Sequence, residues 1–170
     1  MHDILRQHPD IDVFISELEQ PHWQDCPKDA ILLQDGDEIL LGQTAIGVML
    51  TPGHTIGSCC YHLSGDLITG DTLFVYGCGR ADLDTSDVHK LYHSLQKIKR
   101  LPEQTNIWVG HDYGVEETTT LEAQFNGNPF LMIDNEKDFV KFRMQLNSEL
   151  RSQPYAPVDA NTLKKWLTEH

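Results

Sequence analysis

The chain has 170 residues, 39% hydrophobic and 23% charged, with a formal net charge of −13. That length suits one domain with a buried core of its own. The acidic balance argues against a nucleic-acid surface, which wants basic stripes, and no apolar run approaches the roughly 20 residues that cross a bilayer.

The first six residues lack the apolar stretch of a signal peptide. Residues 4–8 read as the tail of a helix stopped by Pro9, and residues 12–16 as a short strand. Residues 17–30 are a loop carrying Pro21, Trp23 and Pro27. Strand-like runs follow at 31–33, 39–41 and 44–50, the first two separated by the Asp35-Gly36-Asp37 turn. Pro52-Gly53-His54 is a turn at a strand end. Residues 58–63 and 67–69 pair as a hairpin around Ser64-Gly65-Asp66. Asp71 follows directly, then a glycine-containing loop over 72–84.

Residues 86–100 form the clearest helix. Val88, Leu91, Tyr92, Leu95 and Ile98 make an apolar stripe at helical spacing. Thr85 or Ser86 can cap it, and Pro102 lies beyond its end. Residues 107–109 read as a buried strand leading to His111. Helices are expected near 116–126 and 136–150, and a last one over 161–169 capped by Asn161. The pattern predicts a single α/β domain over 1–170, with a β-rich core at 1–115 and a helical region at 116–170.

Cys26, Cys59, Cys60 and Cys78 match neither a zinc knuckle nor a CxxC pair. Cys59 and Cys60 are adjacent in a strand and so point to opposite faces. All four read as reduced thiols, which implies a cytoplasmic setting.

Chemistry concentrates in three segments: Thr51-Pro52-Gly53-His54-Thr55, Gly70-Asp71-Thr72-Leu73-Phe74 and Gly110-His111-Asp112-Tyr113. Each sets a candidate ligand (His54, Asp71, His111) at a strand end beside a glycine. Imidazole nitrogen and carboxylate oxygen suit zinc, iron or manganese. The plainer readings are a polar turn residue, a capping carboxylate and a strand-end histidine. His89 and His93 stand four apart on the helix, but Lys90 occupies the place where a zincin has its glutamate, so both read as solvent-facing. His22 and His62 read as surface or strand residues. No serine-hydrolase elbow, P-loop or dinucleotide fingerprint is present.

Together with Gly77-Cys78-Gly79-Arg80 and Asn128-Pro129-Phe130-Leu131, these segments resemble the metallo-β-lactamase-fold superfamily across roughly residues 2–150. The branch most resembled contains glyoxalase II (hydroxyacylglutathione hydrolase) and the persulfide dioxygenases. The resemblance implies an αββα sandwich with its site at one edge of two sheets. In the dinuclear hydrolases a His-x-His-x-Asp-His motif supplies two histidines to one metal, completed by the residue matching His54. It supplies its aspartate and last histidine to the other, completed by the residue matching His111. Asp71 would bridge the two ions, zinc or iron, and serve catalysis, because a shared water deprotonated near neutral pH attacks a carbonyl. The implied partner is a small-molecule thioester, such as a glutathione conjugate. Arg80 and Tyr113 are the implied substrate contacts, against a salt bridge for Arg80 and core packing for Tyr113.

No His-x-His-x-Asp-His occurs in the sequence. In relatives it precedes a helix, a proline and a strand, which residues 4–16 match, so an N-terminally incomplete form of the fold is expected. His2 stands near the expected place of that motif, but a lone His-Asp is uninformative. With His54, Asp71 and His111 alone, each metal position keeps two ligands, and weak binding is expected. Asp82 stands where glyoxalase II has an aromatic residue, and Met132 where an arginine helps hold glutathione. The persulfide dioxygenases match residues 77–82 and 111–113 well. They hold one iron with two histidines and an aspartate, a scheme in which His54 and Asp71 ligate and His111 does not. A third reading is a binding or dimerisation module, in which exposed sheet edges and apolar surface pair with another copy as a homodimer.

Overall fold

The computed structural model describes the backbone of residues 2–170 and the side chains of residues 3–170, so His2, uninformative as a ligand from the sequence, falls outside the described side chains. After α1 (His2–Gln7), the strands β1 (Phe14–Ser16) and β2 (Ile31–Leu33) pair in parallel as a small sheet. The strands β3 (Glu38–Leu41), β4 (Thr44–Leu50), β5 (Cys59–Leu63) and β6 (Asp66–Gly70) form an antiparallel meander. Ser64 and Gly65, both at positive φ, make the two-residue turn between β5 and β6.

Within the expected loop at 72–84 lies a further small hairpin, β7 (Leu73–Phe74) and β8 (Gly77–Cys78). Its residues are apolar and buried from Leu73 through Tyr76, which a solvated loop would not tolerate. The helix α2 (Val88–Ile98) then crosses over to β9 (Asn106–Val109), which lies parallel to β6, and β10 (Thr119–Thr120) finishes the sheet. A parallel pair needs such a crossover. The six strands are ordered β10-β9-β6-β5-β4-β3.

Strand alternation assigns the faces. Cys60, Leu67 and Ile107 point to the same side and are buried with Leu91, Leu95 and Ile98 of α2. Tyr61, Ile68 and Trp108 form a cross-strand row on the other side. Ile68 and Trp108 are 44% and 48% exposed there, so β9 is a half-exposed strand rather than the buried one expected. The Trp108 indole and the Asn106 amide both donate to Asp66, at 3.0 Å, and hold its carboxyl below the usual carboxylate range.

The C-terminal third is helical: α3 (Leu121–Gly127), α4 (Pro129–Met132), α5 (Glu136–Lys141), a π-helical turn (Phe142–Leu146), α6 (Asn147–Leu150) and α7 (Ala160–Glu169). Residues 116–120 are not helical as expected, because Thr119 and Thr120 extend the sheet. Phe130, Phe139 and Phe142 pack edge to face in the same core that receives α2. Among the described residues, no helix is long and apolar enough to cross a membrane.

Two caps differ from expectation. Asp87, not Thr85 or Ser86, caps α2, accepting from the His89 and Lys90 amides at 2.9 and 3.1 Å. Asp159, not Asn161, caps α7. Ser86 is engaged elsewhere, donating to the His54 carbonyl at 2.6 Å.

All four cysteines are free. Cys60 faces the core and Cys59 the other side. Burial pushes the Cys60 thiol up to about 11 and the Cys78 thiol up to about 12, from an ordinary value of 9.0. The folded state therefore holds these protons more tightly than the unfolded chain. The associated stability is complete below about pH 9 and is lost as pH rises through these two values. The urea midpoint should fall progressively above about pH 9, and at about pH 8 a thiol reagent should label Cys26 and Cys59 well before Cys60 and Cys78. Asp87→Ala should cost about 1 kcal/mol in urea unfolding, the ordinary loss of a helix N-cap.

Candidate functional site

The topology delivers three loops to one sheet edge. β4 and β6 each run antiparallel to β5, so they are parallel to each other, and β9 is parallel to β6. The C-terminal ends of all three strands therefore lie at the same edge, and His54, Asp71 and His111 follow those ends.

Asp71 stands between the two imidazoles. Its Oδ2 is 3.3 Å from His54 Nε2 and its Oδ1 is 3.2 Å from His111 Nε2. His54 Nδ1 lies 3.0 Å from the Arg80 carbonyl. A carbonyl only accepts, so Nδ1 donates, which leaves the neutral ring's Nε2 lone pair facing Asp71. That second hydrogen bond is the device that orients metal-binding histidines. The His111 ring stacks on Tyr113, centroids 4.9 Å apart and planes at 13°, and the Phe74 edge meets both rings.

Gly53 and Gly79 make this approach sterically feasible. Gly53 has φ +146, and a Cβ there would lie 2.4 Å from the Leu91 Cα of α2. A Cβ on Gly79 would lie 2.0 Å from the Asp71 carbonyl oxygen. Thr55 Oγ1 and the Gly57 amide donate to Glu19 at 2.8 and 2.9 Å, which ties the loop before β2 to the His54 turn.

The loop from Tyr76 to Arg80 is clamped by the C-terminal helices. Gln124 accepts from the Tyr76 amide (2.9 Å), and the Asn128 amide donates to the Gly77 carbonyl (3.0 Å). Arg143 Nε donates to the Gly79 carbonyl (2.8 Å), and Arg151 Nη2 to the Tyr76 carbonyl (2.7 Å). Sequence reasoning passed over Gln124, Arg143 and Arg151 and read Asn128 only as part of a motif. Their signal was weak, since polar residues on helices are ordinarily solvated.

Arg80 forms a two-bond fork with Asp82, Nε to Oδ1 at 2.6 Å and Nη2 to Oδ2 at 2.9 Å. The fork holds the Asp82 carboxyl below its usual range. Arg80 thus makes the salt bridge and also lines a cavity of about 350 Å³ with His54, Asp71, His111, Phe74 and Tyr113. His89 and His93 are solvent-facing as expected, with side chains 64% and 68% exposed beside Glu136.

Two imidazole nitrogens and one carboxylate with a separate oxygen for each are the donor types that zinc and iron accept. Among the described residues, no group of three or more His, Cys, Asp or Glu side chains converges as a complete metal cage. His54, Asp71 and His111 form two overlapping pairs that share Asp71. They fit a metal in kind and supply part of a coordination shell.

The family model for the metallo-beta-lactamase superfamily matches residues 2–111. A relative from Bacillus velezensis, named as a probable polyketide biosynthesis zinc-dependent hydrolase, BaeB, is 34% identical over 146 residues, covering 85% of this chain and 65% of the relative. A hydroxyacylglutathione hydrolase of Thermosynechococcus vestitus is 39% identical over 128 residues, 72% of this chain and 48% of the relative. The chain thus spans about half to two thirds of the length of these relatives. ETHE1 from Myxococcus xanthus superposes with a TM-score of 0.74 at 28% identity, over 99% of this chain and 71% of that one. A protein solved in a di-iron-bound form superposes with a TM-score of 0.66 at 26% identity, over 76% and 69% of the two chains.

Gly79→Ala should lower stability by about 3 kcal/mol or more, because its Cβ meets backbone that cannot move aside. Gly47→Ala, whose Cβ would find its nearest atom at 3.6 Å, should change it by less than about 1 kcal/mol. Urea unfolding of both variants makes the check.

Proposed function

Because the chain belongs to the metallo-β-lactamase superfamily, we propose that its site is that of a metal-dependent hydrolase acting on a small thioester, such as a hydroxyacylglutathione. The observation that carries this reading is Asp71 presenting one carboxylate oxygen to each of two histidines. The zinc-dependent and hydroxyacylglutathione hydrolase relatives support it. His54, Asp71 and His111 would hold zinc or iron, which when bound supplies Lewis acidity and an activated water. The remaining work falls to the chain. The Arg80 carbonyl orients His54, and the Phe74, His111 and Tyr113 rings form a stiff wall for the acyl group. Arg80 lines the cavity with its guanidinium forked to Asp82. One apolar core takes in residues from Cys60 to Leu163, which supports treating 1–170 as one domain.

A persulfide dioxygenase is the nearest alternative, and the resemblance of residues 77–82 and 111–113 to that group favours it. His111 argues for the hydrolase, since it stands as close to Asp71 as His54 does, whereas one iron would leave it unused. A binding module is favoured by different residues: Leu40 and Leu41, both 70% exposed on the edge strand β3, and the Ile68–Trp108 row. On that reading light scattering would find a dimer.

The purified chain should bind zinc more weakly than about 1 μM, since two donors at each position fall short of the usual three or four. A stoichiometric submicromolar site by calorimetry would refute the partial shell. At saturating zinc, hydrolysis of lactoylglutathione, followed by loss of thioester absorbance, should fall at least ~10²-fold in Asp71→Asn. A wild-type rate no higher than this variant's would remove the hydrolase reading. Oxygen uptake with glutathione persulfide in the iron-loaded chain would install the dioxygenase instead.

A further inference from the structure

The chain has five arginines among its 170 residues, and three of them, Arg80, Arg143 and Arg151, line one cavity of about 370 Å³. Asp82, Asn147 and Tyr155 complete the part of the wall that matters here. This cavity adjoins the one at His54, Asp71 and His111, because Arg80, Arg143 and Tyr155 line both. A molecule reacting at the first site can therefore extend into the second.

In a chain of net charge −13, this concentration of guanidinium groups exceeds what its structural duties require. Arg143 uses only Nε, on the Gly79 carbonyl, and its two terminal nitrogens have no acceptor among the described residues. Arg151 gives Nη2 to the Tyr76 and Ala156 carbonyls and stacks on Tyr155 at 4.8 Å. Its Nη1 is buried without a partner among the described residues, as is the Asn147 Oδ1 one helical turn away. Carbonyls also accept from neutral amides, as the Gly77 carbonyl does from Asn128, so the clamp leaves the positive charge of both arginines without a counter-ion in it. Asp82 is consumed by its fork with Arg80 and neutralises one guanidinium. Three positive groups and one negative leave two uncompensated charges. A partly buried cation without a counter-ion is costly, and an anion in the cavity relieves that cost.

We infer that this cavity is a subsite for a phosphate monoester, carried at the far end of the thiol carrier whose thioester reacts beside Asp71. A phosphate monoester bears about −1.5 to −2 near neutral pH and so matches the surplus, whereas one carboxylate brings −1. Planar guanidinium groups also match phosphate oxygens in pairs. That the phosphate belongs to a reacting thioester rests on the hydrolase reading; the anion site itself does not.

Calorimetry on the full chain, metal-free and at low salt, tests it with inorganic phosphate and with acetate. Phosphate should bind at least ~10-fold tighter than acetate, and Arg143→Gln should weaken it by about tenfold or more. Asp82→Asn removes the opposing charge, so it should tighten phosphate severalfold, a gain that a misfolded variant would not show. Arg100→Gln, a surface control, should leave the affinity unchanged. With thiols as probes, phosphopantetheine should bind at least ~10-fold tighter than pantetheine and tighter than glutathione. Equal affinity for phosphate and acetate, indifference to Asp82→Asn, or preference for glutathione would each overturn the subsite. Because no turnover is involved, a chain that binds phosphate but hydrolyses nothing refutes the hydrolase reading alone. A hydrolase indifferent to phosphate refutes the subsite alone.

Discussion

Everything at the candidate site depends on one carboxylate reaching two imidazoles at once. Asp71 can do this because β4, β6 and β9 end at the same sheet edge and because the loop carrying Gly79 packs directly on the Asp71 backbone. The glycine requirement is absolute in a way that side-chain packing seldom is. A methyl group 2.0 Å from a backbone oxygen has no rotamer to escape into. Helix α2 imposes a similar limit from the other side, where Gly53 lies against Leu91. The spacing of the candidate ligands is thus set by backbone contacts, which are stiffer than the side chains they position.

The C-terminal helices serve the site from a distance. Gln124, Asn128, Arg143 and Arg151 satisfy the polar backbone of residues 76–79, an irregular stretch buried against the core. An irregular buried segment leaves donors and acceptors that no ladder can pair, and each costs free energy if unmet. The clamp explains why a helical region accompanies a site whose candidate ligands all come from the sheet.

The meander from β3 to β6, the α2 stripe and the three loops that bring His54, Asp71 and His111 together were legible because each has a local signature: alternation, helical periodicity, or a glycine beside a histidine or aspartate. What escaped notice depends on partners distant in sequence. Ser86 looks as good a cap as Asp87 until its hydroxyl is seen to be taken by the His54 carbonyl. Trp108 looks like a core residue until its indole is seen turning outward to Asp66. The hairpin at residues 73–78 read as loop because two-residue strands carry no period. Asp82, an apparent departure from the glyoxalase II pattern, is the partner that fixes Arg80. The resemblance pointed to the residues around Asp71, and the geometry adds how the backbone holds them.

Arg80 touches its surroundings at both ends. Its side chain projects into the cavity while its carbonyl holds the His54 ring. The residue that lines the cavity is thus the one whose carbonyl fixes the direction in which His54 Nε2 faces Asp71. A single residue of the loop after β8 therefore belongs at once to the wall of the cavity and to the support of a candidate ligand.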